Sequence, residues 1–75
     1  MMNEEIVIGG KYKHFKGKHY EVLNIAQHSE TEEYMVVYKK LYDDYSIWVR
    51  PLNMFIGYKE INGEKIKRFE LVEKP

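Results

Sequence analysis

The 75-residue sequence predicts a small all-β fold of five or six short antiparallel strands. Three observations carry that expectation. Short runs of aromatic and β-branched residues alternate with turn signals. Asn62-Gly63 is a two-residue hairpin turn of the kind that needs positive φ at both positions. No stretch keeps a 3.6-residue hydrophobic period beyond two turns. Without internal repeats, linkers or low-complexity tracts, the chain reads as one domain over residues 10–72, with an arm over 1–9 and a frayed tail over 73–75.

In the arm, Ile6 and Ile8 can pin the chain to the body before Gly9-Gly10 breaks it. Residues 11–15 read as a short strand, and Lys16-Gly17 as a tight turn into a long strand over 18–27. That turn sets His14 against His19, Tyr12 against Glu21 and Lys13 against Tyr20. Tyr20 and Val22 lie on one phase of the long strand, Leu23 and Ile25 on the other. A bulge near Asn24 reconciles them and bends the sheet. His28-Ser29-Glu30-Thr31-Glu32-Glu33 then forms a polar turn.

Residues 34–51 form the hairpin around which the rest is arranged. With Asp43-Asp44 as a two-residue loop, Tyr42 meets Tyr45, Lys40 meets Ile47 and Tyr38 meets Val49. On the other face Lys39 meets Trp48, Val37 meets Arg50 and Met35 meets Leu52. Both faces carry large apolar groups, which suits a hairpin covered on two sides.

Pro51 ends the strand pattern, and Leu52, Met54 and Phe55 fit one 3₁₀ turn near residues 51–55. The Asn62-Gly63 turn pairs Glu60 with Lys65, Tyr58 with Lys67, Ile56 with Phe69 and Met54 with Leu71. Met54, Ile56, Phe69 and Leu71 then share one face, while Arg68 and Glu70 point away. The architecture these elements imply is an SH3-like barrel with the 3₁₀ turn as a plug.

A chain of this length buries only about 60–65% of its unfolded surface, so its stability margin is thin. Cysteine is absent, which excludes disulfides and thiolate zinc sites and leaves a partner chain as the natural reinforcement. Twelve Lys+Arg balance twelve Asp+Glu. That balance argues against non-specific duplex binding, and Lys11, Lys13, Lys16 and Lys18 read as solvated lysines on an edge hairpin. The acidic start with a short apolar run resembles neither a signal peptide nor a membrane span, so a cytoplasmic, bacterial or phage setting is expected.

Gly10 to Gly17, read as Gly-Lys-Tyr-Lys-His-Phe-Lys-Gly, and then Tyr20-Glu21-Val22 resemble the opening of a known family. His28-Ser29-Glu30-Thr31, Val36-Val37-Tyr38, Leu41-Tyr42, Trp48-Val49-Arg50-Pro51 and Met54-Phe55 resemble its middle, and Arg68-Phe69 its close. The match runs over residues 9–72 and is similar, in order and spacing, to the family of unknown function numbered 1653, found in bacteria and their phages. Lys13 stands where that family usually has arginine, Phe15 where it has tyrosine, and Asp44 where glycine often stands. The resemblance implies the small barrel fold and carries over no activity.

Candidate chemistry divides by geometry. The three histidines lack helical metal spacing, and His19 and His28 are nine residues apart along the chain, too far to share an ion. No metal or cofactor site is expected. Ser29 beside His28 lacks a nucleophile elbow, so no catalytic set and no enzyme is expected. As a loop, His28, Ser29 and Thr31 offer short polar contacts to a ligand. Trp48 and Arg50 share one strand face, with Lys39 placed across from Trp48. The bland reading is a core tryptophan; the functional one is a flat ring and a guanidinium suited to a nucleobase and its phosphate. Seven tyrosines exceed what so small a core can hold, which points to an interface involving Tyr42, Tyr45 and Met35.

A barrel this small fills itself with side chains, so a deep site would be shared between subunits. The expectation is a non-enzymatic, homo-oligomeric binding module. It would hold a small anionic ligand, such as a signalling nucleotide, on His28, Ser29, Thr31, Lys39, Trp48 and Arg50. The alternative is a module for a peptide or a single-stranded nucleic acid.

Overall fold

The computed structural model describes residues 6–75; the first five residues of the expected arm lie outside them. The strands are β1 (Lys11–His14), β2 (His19–Gln27), β3 (Tyr34–Lys40) and β4 (Ile47–Pro51), then, after a helical turn α1 (Leu52–Phe55), β5 (Tyr58–Ile61), β6 (Glu64–Lys67) and β7 (Phe69–Glu73). Five strands form one antiparallel sheet in the order β4-β3-β2-β1-β7, and β5 and β6 form a separate hairpin. The class is the small all-β fold expected, with seven strands among the described residues in place of five or six. No helix among the described residues is long and apolar enough to cross a membrane.

Turn chemistry explains where the expected register holds and where it shifts. Asn62 and Gly63 take φ of 52° and 82°, and Tyr58↔Lys67 and Glu60↔Lys65 pair as expected. That ladder stops at Gly57, whose carbonyl accepts from the Arg68 amide at 3.1 Å. Phe69 crosses instead to His14 in β1, and Leu71 to Tyr12. Ile56 and Met54 therefore never join the sheet, and Met54 is exposed. The plug is one turn of α-helix rather than 3₁₀, closed by Ile56 N–H donating to Leu52 C=O at 3.0 Å, and it drives Phe55 into the core.

Both earlier hairpins are offset by one residue from the expected pairing. Between β1 and β2 the loop holds three residues, with Gly17 in the left-handed region at φ 105° and the Gly17 amide donating to His14 C=O at 2.7 Å. Tyr12 thus meets Tyr20, and Lys13, not His14, meets His19. In the central hairpin Lys40 N–H donates to Ser46 C=O at 3.0 Å, leaving residues 41–45 as the loop. Asp43-Asp44 lacks the glycine a tight type I′ turn favours at its second position. The chain instead turns left-handed at Asp43 (φ 57°) and Tyr45 (φ 55°), with the Ser46 amide on Asp44 Oδ1 at 3.1 Å. Tyr38 consequently opposes Trp48, Val36 opposes Arg50 and Lys39 opposes Ile47. A slip of one residue exchanges the faces of one strand relative to its neighbour, so Lys39 does not meet Trp48.

The expected bulge is present between Val22 and Asn24. Before it Val22 points inward opposite Tyr38; after it Ile25 does so opposite Val36. The core is Tyr12, Val22, Val36, Tyr38, Phe55 and Phe69. Burying Phe55 stabilises the fold by about 3 kcal/mol. Its ring stacks on Phe69 at 4.1 Å, inclined by 6°, and meets Tyr12 edge-on at 5.4 Å. Ile6 packs on this core as expected, whereas Ile8 is exposed. β7 continues through Glu73, which pairs with Lys11 at 3.1 Å, so the expected tail begins only after it.

Candidate functional site

The inward phases of β2, β3 and β4 place Tyr20, Tyr38, Lys40, Trp48 and Arg50 on one concave face, and the β3–β4 loop adds Tyr42. Phe55 plugs the core end of this face. The other end remains an open crevice of about 200 Å³ lined by those six residues. That volume lies below the roughly 300–1,000 Å³ typical of pockets for drug-sized ligands.

Aromatic rings form the crevice floor in continuity with the core. Tyr20 meets Tyr38 edge-on at 5.3 Å, Tyr42 at 5.6 Å and Phe69 at 5.6 Å. The Tyr20 and Tyr42 hydroxyls share a hydrogen bond of 2.8 Å. Burial, then the Tyr42 hydroxyl, pushes the Tyr20 phenol far above its ordinary value, so it stays neutral. Trp48 stands at the rim, 54% exposed, its indole N–H donating to Ser46 Oγ at 2.7 Å. It is therefore not the core tryptophan of the bland reading.

Cations gather on the same face. The Arg50 guanidinium lies 5.2 Å from the Phe69 ring centre, and its Nε donates to the Tyr38 hydroxyl at 3.4 Å. Lys18 and Lys40 ammonium groups lie 4.8 and 4.9 Å from the Tyr42 ring centre. Lys40 is held by Asp43 at 3.6 Å and Asp44 at 3.4 Å. Desolvation opposes its charge, but the bond to Asp44 and the neighbouring anions outweigh it and raise its pKa. The Asp44 carboxyl is lowered, first by its hydrogen bonds from Ser46 and then by Lys40. Among the described residues Arg50 forms no ion pair. His14, packed on Phe69 at 4.9 Å, is held below its ordinary value by burial and then by the charges of Arg50, Lys16 and Arg68. Among the described residues Arg50 and Lys18 thus bring unpaired positive charge to this crevice, while Lys40 is balanced by Asp43 and Asp44.

The expected ligand set divides. Trp48 and Arg50 come together as anticipated, but the lysine beside them is Lys40, because the shifted register puts Lys39 on the opposite face. His28, Ser29 and Thr31 sit in the β2–β3 loop, lining no part of the crevice. There His28 Nδ1 accepts from the Glu30 and Thr31 amides at 3.0 and 3.3 Å, and Thr31 Oγ1 accepts from the Glu33 amide at 3.2 Å. Those groups hold the loop's own backbone. Of the expected interface set, Tyr42 turns into the crevice, Tyr45 is exposed in the loop, and Met35 is half-buried in β3 opposite Pro51. Tyr20, Tyr38 and Lys40 were not foreseen. Reading a five-residue loop after Lys40 from the missing glycine at Asp44 would have found Tyr38 and Lys40. No three His, Asp or Glu side chains among the described residues are grouped to hold a metal ion.

A family model described as "Protein of unknown function (DUF1653)" matches residues 10–71. A crystal structure of a DUF1653 protein from Bordetella bronchiseptica is 32% identical, with a TM-score of 0.79 over 89% of this chain and 88% of that one. No curated protein matches the chain. The matched span includes every residue of the aromatic crevice, and the chain belongs to the DUF1653 family.

Proposed function

We propose that the chain is a non-enzymatic binding module whose crevice takes a small anionic ligand with a planar ring, of nucleotide type. The observation that carries this reading is Arg50, which lies among Tyr38, Phe69 and Trp48 without a carboxylate partner among the described residues. Guanidinium matches phosphate geometry, and the rim indole offers a stacking surface. Lys18, over the Tyr42 ring, adds charge that steers an anion to the mouth. Isothermal titration against mono-, di- and cyclic nucleotides tests it. Binding that weakens in Arg50→Ala supports the reading, and a folded wild type that binds no nucleotide overturns it.

The open side of the crevice favours a second reading, a single-stranded nucleic acid or a peptide laid across Trp48 and Tyr42. A gel shift that weakens steeply with salt would assign the crevice to nucleic acid. Binding of peptides alone would assign it to protein.

A further inference from the structure

Of the two edges of the five-stranded sheet, β7 carries Glu70 and Glu73, charges that discourage pairing with another strand. The β4 edge is Ile-Trp-Val-Arg-Pro, with Ile47 and Val49 60% and 57% exposed. Its only charge, Arg50, turns onto the concave face. Lys40 N–H donates to Ser46 C=O, and the β3–β4 register is unbroken from Lys39↔Ile47 to Met35↔Pro51. Antiparallel alternation therefore aims the Ser46 C=O and the backbone groups of Trp48 and Arg50 at β3, and the backbone groups of Ile47 and Val49 outward. Pro51 falls on the outward phase, where its missing N–H costs the sheet nothing.

We infer that a second copy of this chain pairs with β4 antiparallel about a two-fold axis at Val49. The strand is self-complementary in that register. Val49 exchanges two hydrogen bonds with the partner's Val49, and each Ile47 N–H reaches the C=O of the partner's Pro51. Trp48 comes opposite the partner's Arg50 in the non-hydrogen-bonded pairs, where side chains lie closest. Each indole then meets a guanidinium instead of a like charge meeting its twin. Ile47, Val49 and Pro51 of both copies make one apolar stripe on the other face. Two crevices join at the axis, and the partner's Arg50 completes the rim beside Trp48. The zero net charge of the chain imposes no long-range repulsion on this pairing.

Sedimentation equilibrium of the full chain over a wide concentration range tests the inference. Wild type is expected at twice the 9.1 kDa chain mass. Val49→Pro removes an outward N–H while sparing every bond to β3, and Val49→Lys puts a charge on the axis; both are expected at the single-chain mass. Circular dichroism establishes that each is folded, and Val49→Lys decides if Val49→Pro is not. A wild type that remains single up to millimolar concentration overturns the inference, as does a folded Val49→Lys that still doubles. So does a single wild type whose Ile47 and Val49 amides become protected only with an added peptide. Nucleotide binding by a single-chain wild type would overturn this inference and spare the proposed function. A dimer that binds no nucleotide would do the reverse.

Discussion

The hydroxyls of Tyr20 and Tyr42, 22 residues apart in the chain, meet at 2.8 Å and tie the β3–β4 loop to β2. Lys18 and Lys40 lie over the Tyr42 ring, so the contact fixes both a crevice wall and the cations beside it. Tyr42→Phe is expected to cost about 0.5–1.5 kcal/mol, the ordinary worth of a hydrogen bond. Tyr20→Phe should cost a similar amount. The pair Tyr20→Phe/Tyr42→Phe should cost clearly less than the sum, because either change alone removes the same bond. Urea titrations of the four proteins read this coupling directly.

Phe55 is the only buried residue of α1 and touches Tyr12, Tyr38 and Phe69. Phe55→Ala is expected to destabilise by about 3–5 kcal/mol. In so small a domain that is a large share of the total stability. The thermal transition should fall steeply or vanish at room temperature.

His14 gives the fold a pH dependence of definite sign. Its folded pKa lies below the ordinary 6.5, from burial first and then from Arg50, Lys16 and Arg68. Above pH 6.5 both folded and unfolded chains hold it neutral, and its contribution is complete. As pH falls below that value the unfolded chain takes the proton first, so stability declines until the folded pKa is passed. Protonation at Nδ1 also forfeits the bond from the Lys16 amide. His14→Gln should flatten that part of the profile, measured as urea midpoints between neutral and mildly acidic pH.

Trp48 and Arg50 should separate binding from folding. Trp48 is half-exposed, so Trp48→Ala should change stability by about 1 kcal/mol or less. Arg50→Ala loses a cation over Phe69, worth about 0.5–1 kcal/mol. Under the proposed function each lowers nucleotide affinity at least tenfold, and Arg50→Lys recovers little because a point charge does not replace the planar fork. Titration calorimetry beside thermal melts checks both halves.

The resemblance in sequence extends over nearly the whole chain, and the family match over residues 10–71 agrees with it. Local signals that act over a few residues were legible: the Asn62-Gly63 turn, the bulge before Asn24, the break at Pro51 and the inward Phe55 and Phe69. The candidate site was half legible. Trp48 and Arg50 share a strand, and a spacing of two is enough to set them side by side. Lys40 and Tyr20 reach them only through neighbouring strands, whose alignment depends on loop length.

The chain's own order of residues determined the all-β class, its turns and the alternation along each strand, because those follow from backbone preference within a few residues. Only the tertiary structure decided which faces meet. Left-handed residues at Gly17, Asp43 and Tyr45 lengthen two loops, and each lengthening shifts a pairing by one position. In a sheet with a two-residue period, that single position exchanges one face for the other. It moved Lys39 away from the indole and put Lys40 on its face.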